Sequence, residues 1–149
     1  MPALYFLIVL ALLAGAVLPT QTALNNKLAV AVDSPIIAAL LSFVVGTVTL
    51  AIYSVATGVP LGNIVSAKNA PPAAWLGGIL GAFFVASTII LLPRLGVALT
   101  FGLIVAGQML ITLFYDHFGL LGLDVKQMSV GRVAGVLLVI GGVILIRKF

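Results

Sequence analysis

The sequence predicts an all-α integral membrane protein with five transmembrane helices and its N and C termini on opposite sides. Two observations predict it. Seven Lys/Arg and three Asp/Glu are all the formal charge in 149 residues, and they fall almost entirely between five long apolar stretches. Those stretches cover residues 2–26, 34–58, 72–92, 96–118 and 130–146. As helices rising about 1.5 Å per residue, each is long enough to cross a hydrocarbon layer of about 30 Å. With 63% apolar residues and a mean hydropathy of +1.38, the chain has too little polar surface for water. The linkers, of which 59–71 and 119–129 are the longest, are too short for an extramembrane domain, so residues 1–149 read as one five-helix transmembrane domain.

Each element has its own punctuation. The first stretch has no Lys/Arg ahead of its apolar run, so it reads as a retained helix rather than a cleaved signal. Pro19 inside it removes one backbone hydrogen bond and predicts a bend. Ser34–Pro35 supplies an N-cap and a first-turn proline for the second stretch. Pro71–Pro72 opens the third, Pro93 is expected to stop it, and Gly96 admits the fourth. Gly119 and Gly122 break the fourth ahead of the fifth. Tyr5, Tyr53, Trp75 and Tyr115 fall near one membrane side, as interfacial aromatics do.

Composition closes off several classes. Without cysteine there is no disulfide, thiol catalysis or cysteine metal site. The +4 charge is spread over loops on both faces, a pattern for anionic lipid headgroups and not for nucleic acid. No His/Asp/Glu set has metal-ligand spacing, no phosphate loop occurs, and no serine sits near a base. The expectation is a protein that is not an enzyme and holds no cofactor.

The loop charges carry a second result. The side holding Met1 receives Lys68, Lys126 and Arg132; the other receives Lys27, Arg94, Arg147 and Lys148. Orientation normally follows an excess of Lys/Arg in short cytoplasmic loops, and three against four gives almost none. The expectation is dual topology, with copies inserted in both orientations and pairing head to tail as an antiparallel homodimer. The competing reading is that the first span fixes a single orientation.

Small residues mark helix contacts. Gly77 and Gly81 lie four apart in the third span, as do Gly131 and Gly135 in the fifth, and Ala98, Gly102 and Ala106 share a stripe of the fourth. Close backbone approach at small residues supplies much of helix association in lipid. The stripes fit packing within a protomer or across a dimer.

Polar residues inside spans carry the functional signal, because an amide in hydrocarbon costs several kcal/mol unless paired. Gln21 and Asn25 share a face of the first span beyond Pro19, with Thr22 and Asn26 beside them. In the second, Ser42, Gly46, Thr49 and Tyr53 form a stripe, with Thr47 near the middle. Gln108, Thr112 and Asp116 repeat at four-residue spacing in the fourth. The functional reading is a small-molecule path lined by Gln21, Asn25, Gln108 and Thr112; the structural one is interhelical bonding. Asn26 reads as a helix cap or loop contact. Asp116 and His117 form either a proton-coupled gate or an interfacial pair, with Asp116 bonded to Arg132 or to backbone near Gly119. No Asp or Glu lies mid-span, which argues against a lipophilic cation and for a neutral, zwitterionic or anionic solute.

Several segments carry a family likeness: Gly15-Ala-Val-Leu-Pro-Thr-Gln21, Asn25-Asn-Lys-Leu28, Ser42-Phe-Val-Val-Gly46, Trp75-Leu-Gly-Gly-Ile-Leu-Gly81, Gly107-Gln108 and Asp116-His-Phe-Gly-Leu-Leu-Gly122. With Arg132 and Gly135, they make the chain resemble the YdcZ-like proteins of the drug/metabolite transporter superfamily over essentially its whole length. The resemblance implies a five-helix half-transporter, because larger members resemble two inverted five-helix repeats. It also implies an inner-membrane location in bacteria. The embedded glutamate of the related small multidrug exporters is missing, which argues against their cation antiport. The expected function is small-solute secondary transport by alternating access; a non-transporting helper subunit and a passive channel are the other classes.

Overall fold

In the computed structural model, which describes the backbone of residues 2–149 and the side chains of residues 4–149, five α-helices follow one another. They are α1 (Pro2–Ala31), α2 (Pro35–Ala56), α3 (Leu76–Leu95), α4 (Val97–Phe118) and α5 (Val130–Lys148). Short 3-10 segments occupy Leu61–Asn69, Pro72–Trp75 and Leu120–Gly122, and no strand occurs among the described residues. The five spans have mean hydropathies of 2.0 to 2.3, and at most 17% of any span window is buried. Their exposed Leu, Ile, Val and Phe side chains need lipid as solvent, and a helix satisfies its own backbone there.

The first span runs further than the sequence suggests. Asn25, Asn26 and Lys27 do not end it; Asp33 does, in the left-handed region at φ 50°, where Asp is tolerated. The Ser34 N–H then reaches back to the Ala29 carbonyl at 3.1 Å, a Schellman-type closure. The N-cap of α2 is as expected: Pro35 opens the helix and the Ser34 hydroxyl accepts from the Ile37 N–H at 3.2 Å. Its far end closes on Gly58, at φ 71°, where Gly58 N–H donates to Val55 O and Val59 N–H to Ser54 O.

Two expectations about α3 are corrected together. Pro93 does not stop the helix, which continues to Leu95 before Gly96 turns the chain at φ 77°. Asn26 is not a cap; it sits inside α1 and its Nδ2 donates to the Ile89 carbonyl of α3 at 3.4 Å. The physical link is simple. Ile89 O would accept from the N–H of residue 93, and proline has none. Asn26 supplies the missing donor, so the proline is tolerated within the span. The helix also starts later than expected, at Leu76, after the tight turn Pro72–Trp75.

The chain divides into two compact units at the Pro93–Arg94 bond. In the first, Ala29, Ala38, Ala39 and Ile89 form a small buried core, with Leu28, Val32, Val85 and Ala86 against it. The alanines let α1 and α2 approach closely next to their short turn. Farther along, Thr22 and Thr88 meet at 3.3 Å. In the second unit α4 packs on α5 over buried Ala106, Val136 and Val143, and Gly102 faces Val143. A Cβ on Gly102 would stand 3.1 Å from Val143 Cγ2, so this contact requires a small residue.

Candidate functional site

Two adjacent stripes of α1 treat their polar groups differently. Thr22 and Asn26 point toward α3 and are bonded: the one Thr22 hydroxyl proton is shared between Leu18 O at 3.0 Å and Thr88 Oγ1, whose own proton goes to Val85 O at 2.8 Å. Gln21 and Asn25, one residue earlier in each turn, make no side-chain hydrogen bond among the described residues of their unit. Asn25 is only 8% exposed, yet no buried side-chain polar atom lacks a partner among the described residues. Its amide atoms therefore open onto a space.

That space is a groove of about 420 Å³ along α1, bordered by Val17, Thr20, Gln21 and Asn25 on both sides of Pro19. Gln21 also borders a second crevice of about 240 Å³, walled by Ser42, Phe43, Thr47 and Leu50 of α2 and by Val85 of α3. Gln21 lies within the first apolar span, six residues before Lys27 and about 15 Å along the helix from its end at Ala31. Ser42 makes no side-chain hydrogen bond within the unit, whereas Thr47 donates to the Phe43 carbonyl at 2.8 Å and keeps only its acceptor capacity. The Phe43 ring is seated against Gly81, whose Cβ position lies 3.6 Å from the ring carbon Cζ. A Cβ there would only touch the ring, so α3 and the Phe43 wall meet in ordinary contact.

Sequence reasoning did not bring Ser42, Phe43 and Thr47 together with Gln21. Ser42 and Thr47 were visible as polar residues within a span, but the face of α2 that meets α1 was not.

The second unit gathers a set of bonded charged and imidazole groups at the C-terminal end of α4. The α4–α5 connection leaves α4 through Gly119, at φ 59°, and folds back on the last turn. Lys126 N–H donates to the Asp116 carbonyl at 2.7 Å, and Arg132 Nη1 donates to Lys126 O at 3.0 Å. Arg132 Nη2 forms an ion pair with Asp116 Oδ2, one of the two arrangements the sequence allowed. The Met128 N–H donates to His117 Nδ1 at 3.1 Å, which leaves Nε2 to carry the imidazole proton. A Cβ on Gly119 would lie 2.7 Å from Val125 Cγ2, so the fold-back is closed around that glycine. Among the described residues no group of three or more His/Cys/Asp/Glu is placed to hold a metal.

Gln108 and Thr112 stand exposed on α4. Thr112 donates to the Met109 carbonyl at 3.1 Å, and the second unit's apolar cavity, between Leu99, Leu103 and Val143, touches neither residue. The structure therefore brings Gln21 and Asn25 together at open space and gives Gln108 and Thr112 no such surroundings within their unit. A Cβ added at Gly77, Gly131 or Gly135 would meet no neighbouring atom of its unit within 4 Å, so these three glycines pack on nothing there.

Residues 6–145 match the family described as "Putative inner membrane exporter, YdcZ". No curated protein and no solved structure matches the chain. Because the match reaches into all five helices, the chain belongs to the YdcZ family of the drug/metabolite transporters, and its five long apolar helices make it a multi-pass membrane protein.

Proposed function

We propose that the protein exports a small solute across a bacterial inner membrane by alternating access, working as an antiparallel homodimer of oppositely inserted copies. The observation that carries this reading is the unpaired Gln21 amide, set within an apolar span beside the α1–α2–α3 crevice. A purely structural amide there would be bonded, as Asn26 is. Secondary transporters hold their solute near the midplane, between inverted halves. Five spans per chain make one half, and the near-equal loop charges favour neither orientation. A symmetric inverted pair has inward-open and outward-open states of equal energy, because exchanging the roles of the copies interconverts them. The open faces at Gly77, Gly131 and Gly135 support contact with another copy. Gln21, Asn25, Gln108 and Thr112 line the path in this reading, and the Asp116–Arg132 and His117 ties gate it.

Two measurements test this. Accessibility of a C-terminal tag in intact cells should report both compartments; a single compartment ends the inverted pair. Purified protein in liposomes should show solute counterflow that Gln108→Ala abolishes while dimer assembly persists. Flux without counterflow would mean a channel, and no flux with a tightly co-purifying partner would mean a helper subunit.

A further inference from the structure

The crevice between α1, α2 and α3 also limits what can occupy it. We infer that it binds an uncharged solute which carries a hydrogen-bond donor and an acceptor beside a small apolar body. This rests on the exporter reading for its role in transport, but the binding chemistry follows from the lining alone. The wall offers a free amide at Gln21, a free hydroxyl at Ser42 and the acceptor oxygen of Thr47, whose proton is engaged by Phe43 O. Together these donate and accept, so a carboxamide or hydroxyl satisfies them and a hydrocarbon does not. The rest of the wall is Phe43, Gly46, Leu50 and Val85, which suits an aromatic or branched aliphatic body.

Charge is the deciding term. No Lys, Arg, Asp or Glu lines the crevice, and the first unit's charged side chains, Lys27, Asp33 and Lys68, all lie outside its wall. An ion brought into this crevice would leave water without a counter-charge, a far larger cost than a hydrogen-bonded amide or hydroxyl incurs. A space of about 240 Å³ holds a solute of roughly the size of a substituted benzene. Of the neutral, zwitterionic and anionic classes open from the sequence, the neutral one remains.

The test uses two isosteric trios on the purified full-length protein: benzamide, benzoate and benzamidinium, and isovaleramide, isovalerate and 3-methylbutanamidinium. Saturable binding is read by calorimetry in detergent, and counterflow of the same compounds is read in liposomes. In at least one trio the amide should bind at least about tenfold more tightly than either ion, and Gln21→Leu should weaken it by about tenfold or more, the loss of one good polar contact. Ser42→Ala, which removes only a hydroxyl, should weaken it in the same direction. If an ion binds as well as its amide, if neither amide saturates, or if both variants bind like the parent, the assignment is overturned. Amide binding without counterflow would sink the exporter reading and leave the neutral-solute site standing.

Discussion

On one helix, two stripes offset by a single residue hold the same kinds of side chain and use them differently. Thr22 and Asn26 are engaged by α3; Gln21 and Asn25 face open space. The difference teaches that an amide inside a span is not by itself a sign of function. What distinguishes the two is whether a neighbouring backbone needs the amide. Ile89 O needs Asn26 because Pro93 cannot donate to it, and no carbonyl within the first unit takes up Gln21.

The largest expected effect comes from breaking the engaged stripe. Asn26→Leu should destabilise the protein by about 2 kcal/mol, because it leaves the Ile89 carbonyl unsatisfied beside a residue that is 1% exposed. Detergent-titration unfolding measures it. Pro93→Ala should restore most of the loss in the double variant, since the new N–H at 93 takes over the bond. Rescue is the decisive readout. If Asn26→Leu costs the same with or without Pro93, the amide does not compensate for the proline.

Gln21→Leu should behave in the opposite way. Removing an unpaired amide from hydrocarbon should raise stability by about 1 kcal/mol while transport is lost. A variant that is more stable and inactive separates a reserved group from a structural one. A drop in stability comparable to that of Asn26→Leu would place Gln21 with the engaged stripe.

These contrasts also show where the sequence was legible. Span count followed from length and from charges kept toward the ends of the apolar stretches, and the Ser34–Pro35 cap was readable because it is local. The end of α3 was not, since Pro93 is a stop signal only if no other helix supplies the donor it lacks. Whether Asn26 does so depends on residues 63 positions away meeting in space. The missed crevice wall has a similar cause. A helix that is apolar nearly all round gives no amphipathic signal for the face that meets its neighbour, so Ser42 and Thr47 could be seen as polar but not placed. Gln21 and Asn25 were legible because they sit four apart in an apolar run, and their neighbours Thr22 and Asn26 met the same criterion for a different reason.

A control belongs in the second unit, where a cluster of bonded polar groups sits at a helix end. Asp116→Asn breaks a half-exposed ion pair, so its cost should stay below about 1 kcal/mol. Amide exchange across 119–129 should speed up, because Arg132 also holds Lys126 O. Protection elsewhere, including around Thr22 and Asn26, should not change. A loss as large as that of Asn26→Leu would show that this tie supports the fold beyond its own loop.

The smallest effect tests whether the engaged stripe is held by one contact or two. Thr22 has a single proton and two acceptors, and the Leu18 carbonyl, at 3.0 Å, is the nearer. Thr22→Val therefore removes a bond that is already shared, and its loss to Thr88 should be close to the ~0.6 kcal/mol typical between membrane helices. The double cycle with Thr88→Val should give a coupling of that size, several times smaller than the coupling of Asn26 with Pro93. The asymmetry has a physical origin: both threonine hydroxyls can satisfy themselves on their own helix, whereas Ile89 O loses its usual helical donor once residue 93 is proline. A threonine coupling equal to or above the Asn26–Pro93 value would mean that the hydroxyl pair, and not the amide, joins α1 to α3.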